Sequence, residues 1–451
     1  MDAWESSLQE LPAHADVVIV GAGPAGLAAA RELVHLRPDA HVVVLEAAHE
    51  VGGRVVTREQ DGFLLDRGFQ VLNTAYPEVR LLLDDDALEL AAFTSGAAVR
   101  RDGVFHVVAD PLRHPGRIGN TLRSPLGTLR EKLQTARLAI AQRVVGPHIT
   151  TGGDETAAQL LRNAGTGRFG ELMLTPFFRG VLLEHGLASS ARKLRWLLRI
   201  FAAGESALPR QGMGAVTRQL ATRLPERSVV LGARVSGLTR DDDAAEWRVE
   251  LETGASLQAA AVIVATEQAA AAELLADAAP GAVPAPSGDV VPTGITYYYA
   301  LPAAPADRRP MLLLGTGDDG PITNACMLSN VQASYAPAGR GLLQATVVPT
   351  STTVGDCEAL EQQVRAQLRS WFGATVDSWQ HLHTDWLEAC LPFAAPGAYG
   401  APRDAAIADG LFVCGDHVDG GTLDGALRSG RAAAAAAARD ISSRQTPAVT
   451  Q

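Results

Sequence analysis

No stretch constrains this chain more than Asp16-Val17-Val18-Ile19-Val20-Gly21-Ala22-Gly23-Pro24-Ala25-Gly26. A short apolar run that ends in G-x-G-x-x-G reads as a buried parallel strand feeding a tight turn. Leu27, Ala30, Leu33 and Val34 then recur at helical spacing until Pro38 stops the pattern. A second apolar strand, from His41 to Leu45, ends on Glu46, twenty residues after the third glycine. This is a βαβ unit with a dinucleotide-binding signature. Gly21 permits the turn, Gly23 lets a pyrophosphate approach the backbone, and Gly26 lets helix and strand pack closely. The start of the helix favours negative charge, and Glu46 can accept ribose hydroxyls.

The bare glycine pattern is not sufficient, because it occurs twice more. Gly165 to Gly170 follows a helix-like stretch, and Gly315 to Gly320 runs into Pro321 with no helix behind it. Both are expected to be loops. With 451 residues the chain can bury a large core and form two or more domains. A net charge of -11 argues against a general nucleic-acid binder. Residues 1–15 show no basic region ahead of an apolar core, and no uncharged apolar run is long enough to span a bilayer. Cys326, Cys357, Cys390 and Cys414 form no C-x-x-C, which excludes dithiol redox chemistry and a zinc ribbon, and no metal site is expected. The expected location is cytoplasmic.

Downstream of Glu46 and Ala47 comes Gly52-Gly53-Arg54, in which paired glycines bring the backbone near a ligand and an arginine offers a charge-assisted bond. The run Leu45-Glu46-Ala47 … Gly52-Gly53-Arg54 resembles the second fingerprint of the FAD-dependent superfamily of amine oxidases, protoporphyrinogen oxidases and phytoene-type desaturases. Near the other end, Leu411-Phe412-Val413-Cys414-Gly415-Asp416 leads through Gly420-Gly421-Thr422 into Leu423-Asp424-Gly425-Ala426 and an alanine-rich helix. This resembles the C-terminal flavin motif of the same superfamily. Two such motifs in this order are far more specific than either alone.

The resemblance implies an α/β fold: a Rossmann-like FAD-binding domain of the glutathione-reductase type, with amine-oxidase-like topology and an interleaved α+β substrate domain. It divides the chain into a flexible arm (1–15), an FAD-binding domain (16–97, 221–275 and 391–441), a substrate domain (98–220 and 276–390) and a tail (442–451). It implies non-covalent FAD held by Gly21, Gly23, Pro24, Ala25, Gly26, Glu46, Ala47, Gly52, Gly53 and Arg54. Gly68, Phe69 and Gln70 would pass beside the flavin ring, Val235 would lie at the adenine, and Ala265 and Thr266 would end a strand at the cofactor. Gly415, Asp416, Thr422, Leu423 and Ala426 would hold the ribityl chain and face the pyrimidine ring, where the helix start stabilises negative charge on the reduced flavin.

The substrate side is less marked. Phe177 and Phe178 sit in an aromatic stretch that reads equally as pocket wall or core, next to Glu184 and His185. Tyr297 and Tyr299 share one face of a strand and Tyr298 takes the other. The first two are expected to face substrate, and Glu184, His185 and His417 are the candidate acid–base groups. Leu129, Leu133, Ala136, Ile140 and Val144 recur at helical spacing among arginines within 111–149. That helix caps the substrate domain or contacts an anionic membrane surface peripherally. The departures matter as well. The amine oxidases carry a tyrosine near the position of Thr422 and a lysine that holds water at the flavin, and neither Lys132 nor Lys193 lies in a stretch expected to supply that lysine. The resemblance therefore implies an FAD-dependent oxidoreductase of the desaturase or oxidase type. It would take hydride from a largely apolar small molecule onto flavin N5, with oxygen or a quinone as acceptor. An amine oxidase with an altered aromatic cage and a non-catalytic prenyl-lipid carrier are the alternatives.

Overall fold

The computed structural model describes residues 4–6, 8–110, 113–114, 116, 118–144, 153–241, 243–286, 290–350, 357–400 and 404–445. Among them, the strand His14–Val20 lies inside a nine-stranded sheet, flanked in parallel by Val42–Glu46 and Ser256–Val264. Its alternation decides the layers. Val17 and Ile19 point to one core with the helices Pro24–Leu36 and Leu423–Gln445. Val18 and Val20 point to a second core closed by the meander residues Trp247, Val249 and Leu257. A strand buried on both faces has no room for polar residues, which is why it reads as an unbroken apolar run.

The two motif-bearing helices touch. Ala25, Ala28 and Ala29 face Ala433, Ala434 and Ala437 in one core. A side chain on Gly430 would run into the backbone of Ala25. Small residues thus bring the C-terminal helix against the N-terminal one, and the parallel strand Leu411–Val413 joins Ser256–Val264 beside them.

A seven-stranded sheet forms the second layer. It contains Gln380–Leu387, Gly294–Leu301, Gly341–Val347, Ile322–Met327, Leu312–Leu314, Gly96–Arg101 and Val104–Ala109 in spatial order. One face packs on the helix Cys357–Phe372 and the other faces the first domain. A helical group packs Phe169 and Leu172 on the same face as Tyr298, with a π-helix at Gly170–Leu174 running into the helix Thr175–Leu182.

Four expectations are corrected. The N-terminal arm is not loose where it is described: Trp4 is 5% exposed, and Glu5–Ser6 pairs in parallel with Val229–Leu231. The helix Gly214–Ala221 packs Val216 and Leu220 into the dinucleotide-side core, so the boundary drawn after residue 220 falls too late. The tail from 442 is helical as far as Gln445, and its last six residues lie outside the described set. Gly165 to Gly170 is not a loop throughout, because Gly167–Phe169 forms a helical turn on which the Glu131 carboxylate packs. The Gly315 to Gly320 segment is a loop, and Gln367 fills the space above Gly320.

Candidate functional site

The glycine cradle forms at the end of His14–Val20. Gly21 takes φ +105°, a conformation that L side chains rarely adopt, with the Ala265 carbonyl above it. A side chain on Gly26 would overlap the Gly21 carbonyl oxygen, whereas one on Gly23 would meet nothing within 4 Å. Gly26 therefore serves packing, and Gly23 leaves open space. Pro24 opens the helix, so the first-turn amides of Ala25 and Gly26 have no partner within it. A Cβ on Gly53 would stand 3.4 Å from the Gly23 Cα, and the Gly52 amide donates to the Ala22 carbonyl at 2.9 Å. The second fingerprint thus lies against the first.

Glu46 is 8% exposed and has a structural task as well. Its carboxylate accepts from the Ala22 amide at 2.7 Å and the Ala48 amide at 2.8 Å, beside partly buried Ala47. The Ala233 amide donates to the Glu46 carbonyl, so the turn before Val235 lies against the same corner. Glu46→Ala is expected to weaken FAD retention and also to cost about 2–4 kcal/mol, because two amides lose their acceptor. Glu46→Gln, which keeps one acceptor oxygen, should lose less. Urea denaturation with and without FAD measures both terms.

Arg54 bridges the two ends of the chain. Its guanidinium pairs with Asp416 at 2.5 Å and donates to the Cys390 carbonyl, and Gln70 Nε2 donates back to the Arg54 carbonyl at 2.7 Å. Asp416 in turn accepts through its backbone from the Gly421 amide at 2.8 Å. Thr422 caps the last helix, its hydroxyl accepting from the Gly425 amide, and Leu423 and Ala426 form the first turn. His417 is buried with its ring packed on Gly415. Burial pushes the Cys390 thiol up to about 11.

Lys193 joins this group, contrary to expectation. It is 2% exposed, its Nζ has no hydrogen-bond partner among the described residues, and it sits 2.9 Å from where a Gly421 Cβ would stand. Burial lowers its pKa, while Glu184 and Asp416 pull it back up. Its position follows from the start of the helix Ala191–Ala203. There the Ser190 hydroxyl caps Arg192 and donates to Asp154, and the Ser190 amide donates to Ala394. Nothing in the sequence distinguishes Lys193 from the arginines around it. Only its scarcity (it is one of two lysines) was a signal.

The structure separates the other candidates. Glu184 is buried and accepts from the Ser189 amide at 2.9 Å and from the Ser189 hydroxyl, within electrostatic reach of Lys193. His185 is exposed, and its carbonyl accepts from Arg179 Nε at 2.7 Å, so it stands outside the buried group. Phe178 is a core residue. Phe177 is partly exposed and packs edge-on against Phe178 and Phe201. Tyr297 and Tyr299 are on the wrong face for substrate. They point into the core under Cys357–Phe372, with the Tyr299 hydroxyl on Glu361 at 3.0 Å. Their neighbour Tyr298, on the opposite face, donates to the carbonyls of Asp66 and Gly68 at 2.7 and 3.0 Å. Phe69 stands on the same side, edge-on to Phe93 at 6.4 Å.

Asp66 opens the Gly68 loop and is fully buried. It accepts from Thr57 at 2.5 Å, the Met213 amide at 2.8 Å and Tyr335 at 2.7 Å. Burial outweighs these bonds and the charge of Arg218, and raises its carboxyl from 3.8 to about 6. A raised value means that the ionised form is the costly one. Stability should therefore be fullest below pH 4 for this group and fall by about 3 kcal/mol as pH rises through 6. Asp66→Asn should flatten that slope in urea titrations between pH 4 and 7.

The chemistry of this site fits FAD. An open glycine cradle at a helix start, a buried Thr266 hydroxyl without a partner beside it, and an unpartnered buried lysine at the second helix start all await a polar, negatively charged group. Among the described residues no group of three metal ligands occurs, and no helix is long and apolar enough to cross a membrane.

Comparisons with known proteins agree with this reading. The profile of the family described as flavin containing amine oxidoreductase matches residues 24–438. Protoporphyrinogen oxidase 1 of Arabidopsis thaliana chloroplasts is 30% identical over 172 residues, covering 37% of this chain and 30% of the relative. Putrescine oxidase of Kocuria rosea is 47% identical over 74 residues, 16% of this chain and 15% of that one. These alignments thus span less than a third of either relative. Among solved structures, wild-type putrescine oxidase bound to putrescine superposes with a TM-score of 0.68 at 19% identity, over 94% of this chain and 98% of its own. Cyclohexylamine oxidase from Brevibacterium oxydans does so at 0.68 and 18%, over 95% and 99%. At such identities the likeness is one of fold. The chain belongs to the flavin containing amine oxidoreductases, a family of FAD-dependent oxidoreductases.

Proposed function

We propose that this chain takes hydride from a carbon of a largely apolar small molecule onto flavin N5, with Lys193 as the ionisable group beside the reacting centre. The observation that carries this reading is the buried, unpartnered Lys193 ammonium at Gly421, where the two cofactor motifs meet. Bound FAD would supply the hydride acceptor. The chain would do the rest. Gly23, Ala25 and Gly26 would hold the pyrophosphate, the helix start at Thr422 and Leu423 would stabilise negative charge, and loop 66–70 would lie along the ring. Lys193, its pKa lowered by burial, is suited to hold or move a proton there. Partly exposed Phe69, Val71, Phe93, Met173 and Phe177 extend from the Gly68 loop and support an apolar substrate.

A second reading, oxidation of an amine, is favoured by Lys193 itself, a buried lysine that the sequence was not expected to supply here, and by one further observation. Tyr399 lies 3.7 Å from a Gly420 Cβ position, and Tyr76 stacks on Trp196 at 5.7 Å. Aromatic groups from other parts of the chain therefore stand near the motif that lacks its own tyrosine. Anaerobic mixing with a porphyrinogen, putrescine or cyclohexylamine tests both readings by bleaching of the flavin band. Bleaching by amines alone would overturn the apolar-substrate reading, and a protein that takes up no FAD would overturn both. Reoxidation of the photoreduced protein by air or a quinone then distinguishes the acceptors.

Peripheral membrane contact is the remaining part of the proposal. Leu122, Leu129, Leu133 and Ile140 are exposed beside Arg123, Arg130 and Arg137. Apolar side chains among arginines suit an anionic surface. Sedimentation with anionic vesicles at low salt is expected, and its absence would remove this part.

A further inference from the structure

Loop 66–70 belongs by chain order to the first domain, yet its backbone is held largely by the second. The Tyr298 hydroxyl donates to the carbonyls of both Asp66 and Gly68. The Gly68 amide donates to Asp385 Oδ2 at 2.9 Å. Gly68 takes φ +75°, and Leu387 packs on it so closely that a Cβ would come within 2.6 Å of the leucine methyl. Tyr298 and Asp385 stand on neighbouring strands, where Thr296 pairs with Asp385 and Tyr298 with His383, and the strand carrying Tyr298 is flanked on both sides. Side chains on such a strand are held far more rigidly than loop groups. On its other side the loop is tied to the cofactor motifs: Gln70 donates to the Arg54 carbonyl, and Arg54 pairs with Asp416.

We propose that Tyr298 and Asp385 are positioning residues: from two strands of the substrate sheet they fix the backbone of loop 66–70, and through it the loop's contact with the bound flavin. This rests on the reading that FAD lies along this loop. A single phenol shared by two carbonyls sets the spacing of residues 66 and 68, and the carboxylate fixes the amide between them. His383 Nε2 on Asp385 at 3.1 Å, with Arg58 on the ring's other nitrogen at 3.2 Å, holds that carboxylate in turn.

The test uses the full-length protein with FAD. Tyr298→Phe keeps the buried ring and removes only the hydroxyl. Hydrogen exchange of peptides covering 64–71 is expected to rise about 10-fold. The visible flavin band should shift and lose its shoulders while FAD affinity stays within about threefold. Val99→Ala, a cavity in the same sheet, should lower stability and leave the spectrum unchanged. Wild-type exchange and spectrum in Tyr298→Phe would overturn the proposal. Should that variant fail to fold, Asp385→Ala decides by the same two readouts, because it frees the Gly68 amide without touching Tyr298. If the wild type takes up no FAD, the cofactor reading and the flavin half of this proposal fail, while the exchange comparison still separates an anchored loop from an unanchored one.

Discussion

Lys193→Met is expected to slow substrate reduction of the bound flavin by about 100-fold while FAD stays bound and the fold becomes no less stable. The two halves of this result have separate causes. The rate falls because methionine can neither hold nor move a proton at Gly421. Stability holds because a buried ammonium without a hydrogen-bond partner is replaced by an apolar chain of similar length. Neither carboxylate is stranded by the change, since Asp416 keeps Arg54 and Glu184 keeps Ser189. The pH dependence gives a further check. The Lys193 pKa is lowered in the folded protein, so the charged form weakens the fold at low and neutral pH, and that penalty lifts as pH rises toward 10.5. The gain in melting temperature for the variant should therefore shrink at alkaline pH. Anaerobic stopped-flow reduction and thermal scans across pH measure the two effects. An unchanged reduction rate would remove Lys193 from the reacting centre.

Gly26→Ala and Gly23→Ala are expected to fail in different ways. The Gly26 Cβ would come far closer to the Gly21 carbonyl oxygen than the 3.0 Å that real Cβ atoms respect. The clashing atoms are the Gly21 backbone just past the strand end, and Gly26 is fixed in the first helical turn, so neither can give, and a loss of about 4 kcal/mol or more is expected. Gly23→Ala meets nothing within 4 Å, so its fold should keep its melting temperature. It should still lose FAD, because the added methyl group occupies the space through which a pyrophosphate approaches. Circular dichroism and FAD titration on the two proteins separate packing from binding. A stable, FAD-free Gly26→Ala or an FAD-replete Gly23→Ala would reverse this assignment.

These contrasts mark what can be read along a chain. The βαβ unit was legible because each of its requirements is local. An apolar strand buried on both faces, a glycine turn and an alanine-rich helix all leave their mark within consecutive residues. The C-terminal motif was legible for the same reason, and so was the alternation of Tyr297, Tyr298 and Tyr299. Which of those faces looked toward the site was not legible, because period two fixes only that the faces differ. The helix Cys357–Phe372 packs on one face and the first domain on the other, which sends Tyr297 and Tyr299 into a core and Tyr298 to the Gly68 loop. The trace of Trp4 was lost too, since one apolar residue in a polar arm carries no periodicity.

By itself the sequence determined the dinucleotide fold, the two cofactor motifs and their order, because these rest on backbone conformation and on contacts between near neighbours. The tertiary structure alone decided that Lys193, Glu184 and Asp416 share one buried space and that His185 does not. It also decided that Asp385 and Tyr298 hold a loop more than 200 residues away in sequence. Such groupings depend on how helices and sheets stack. Burial, which lowers the pKa of an otherwise ordinary lysine, is a property of that stacking and leaves no pattern in the residues beside it.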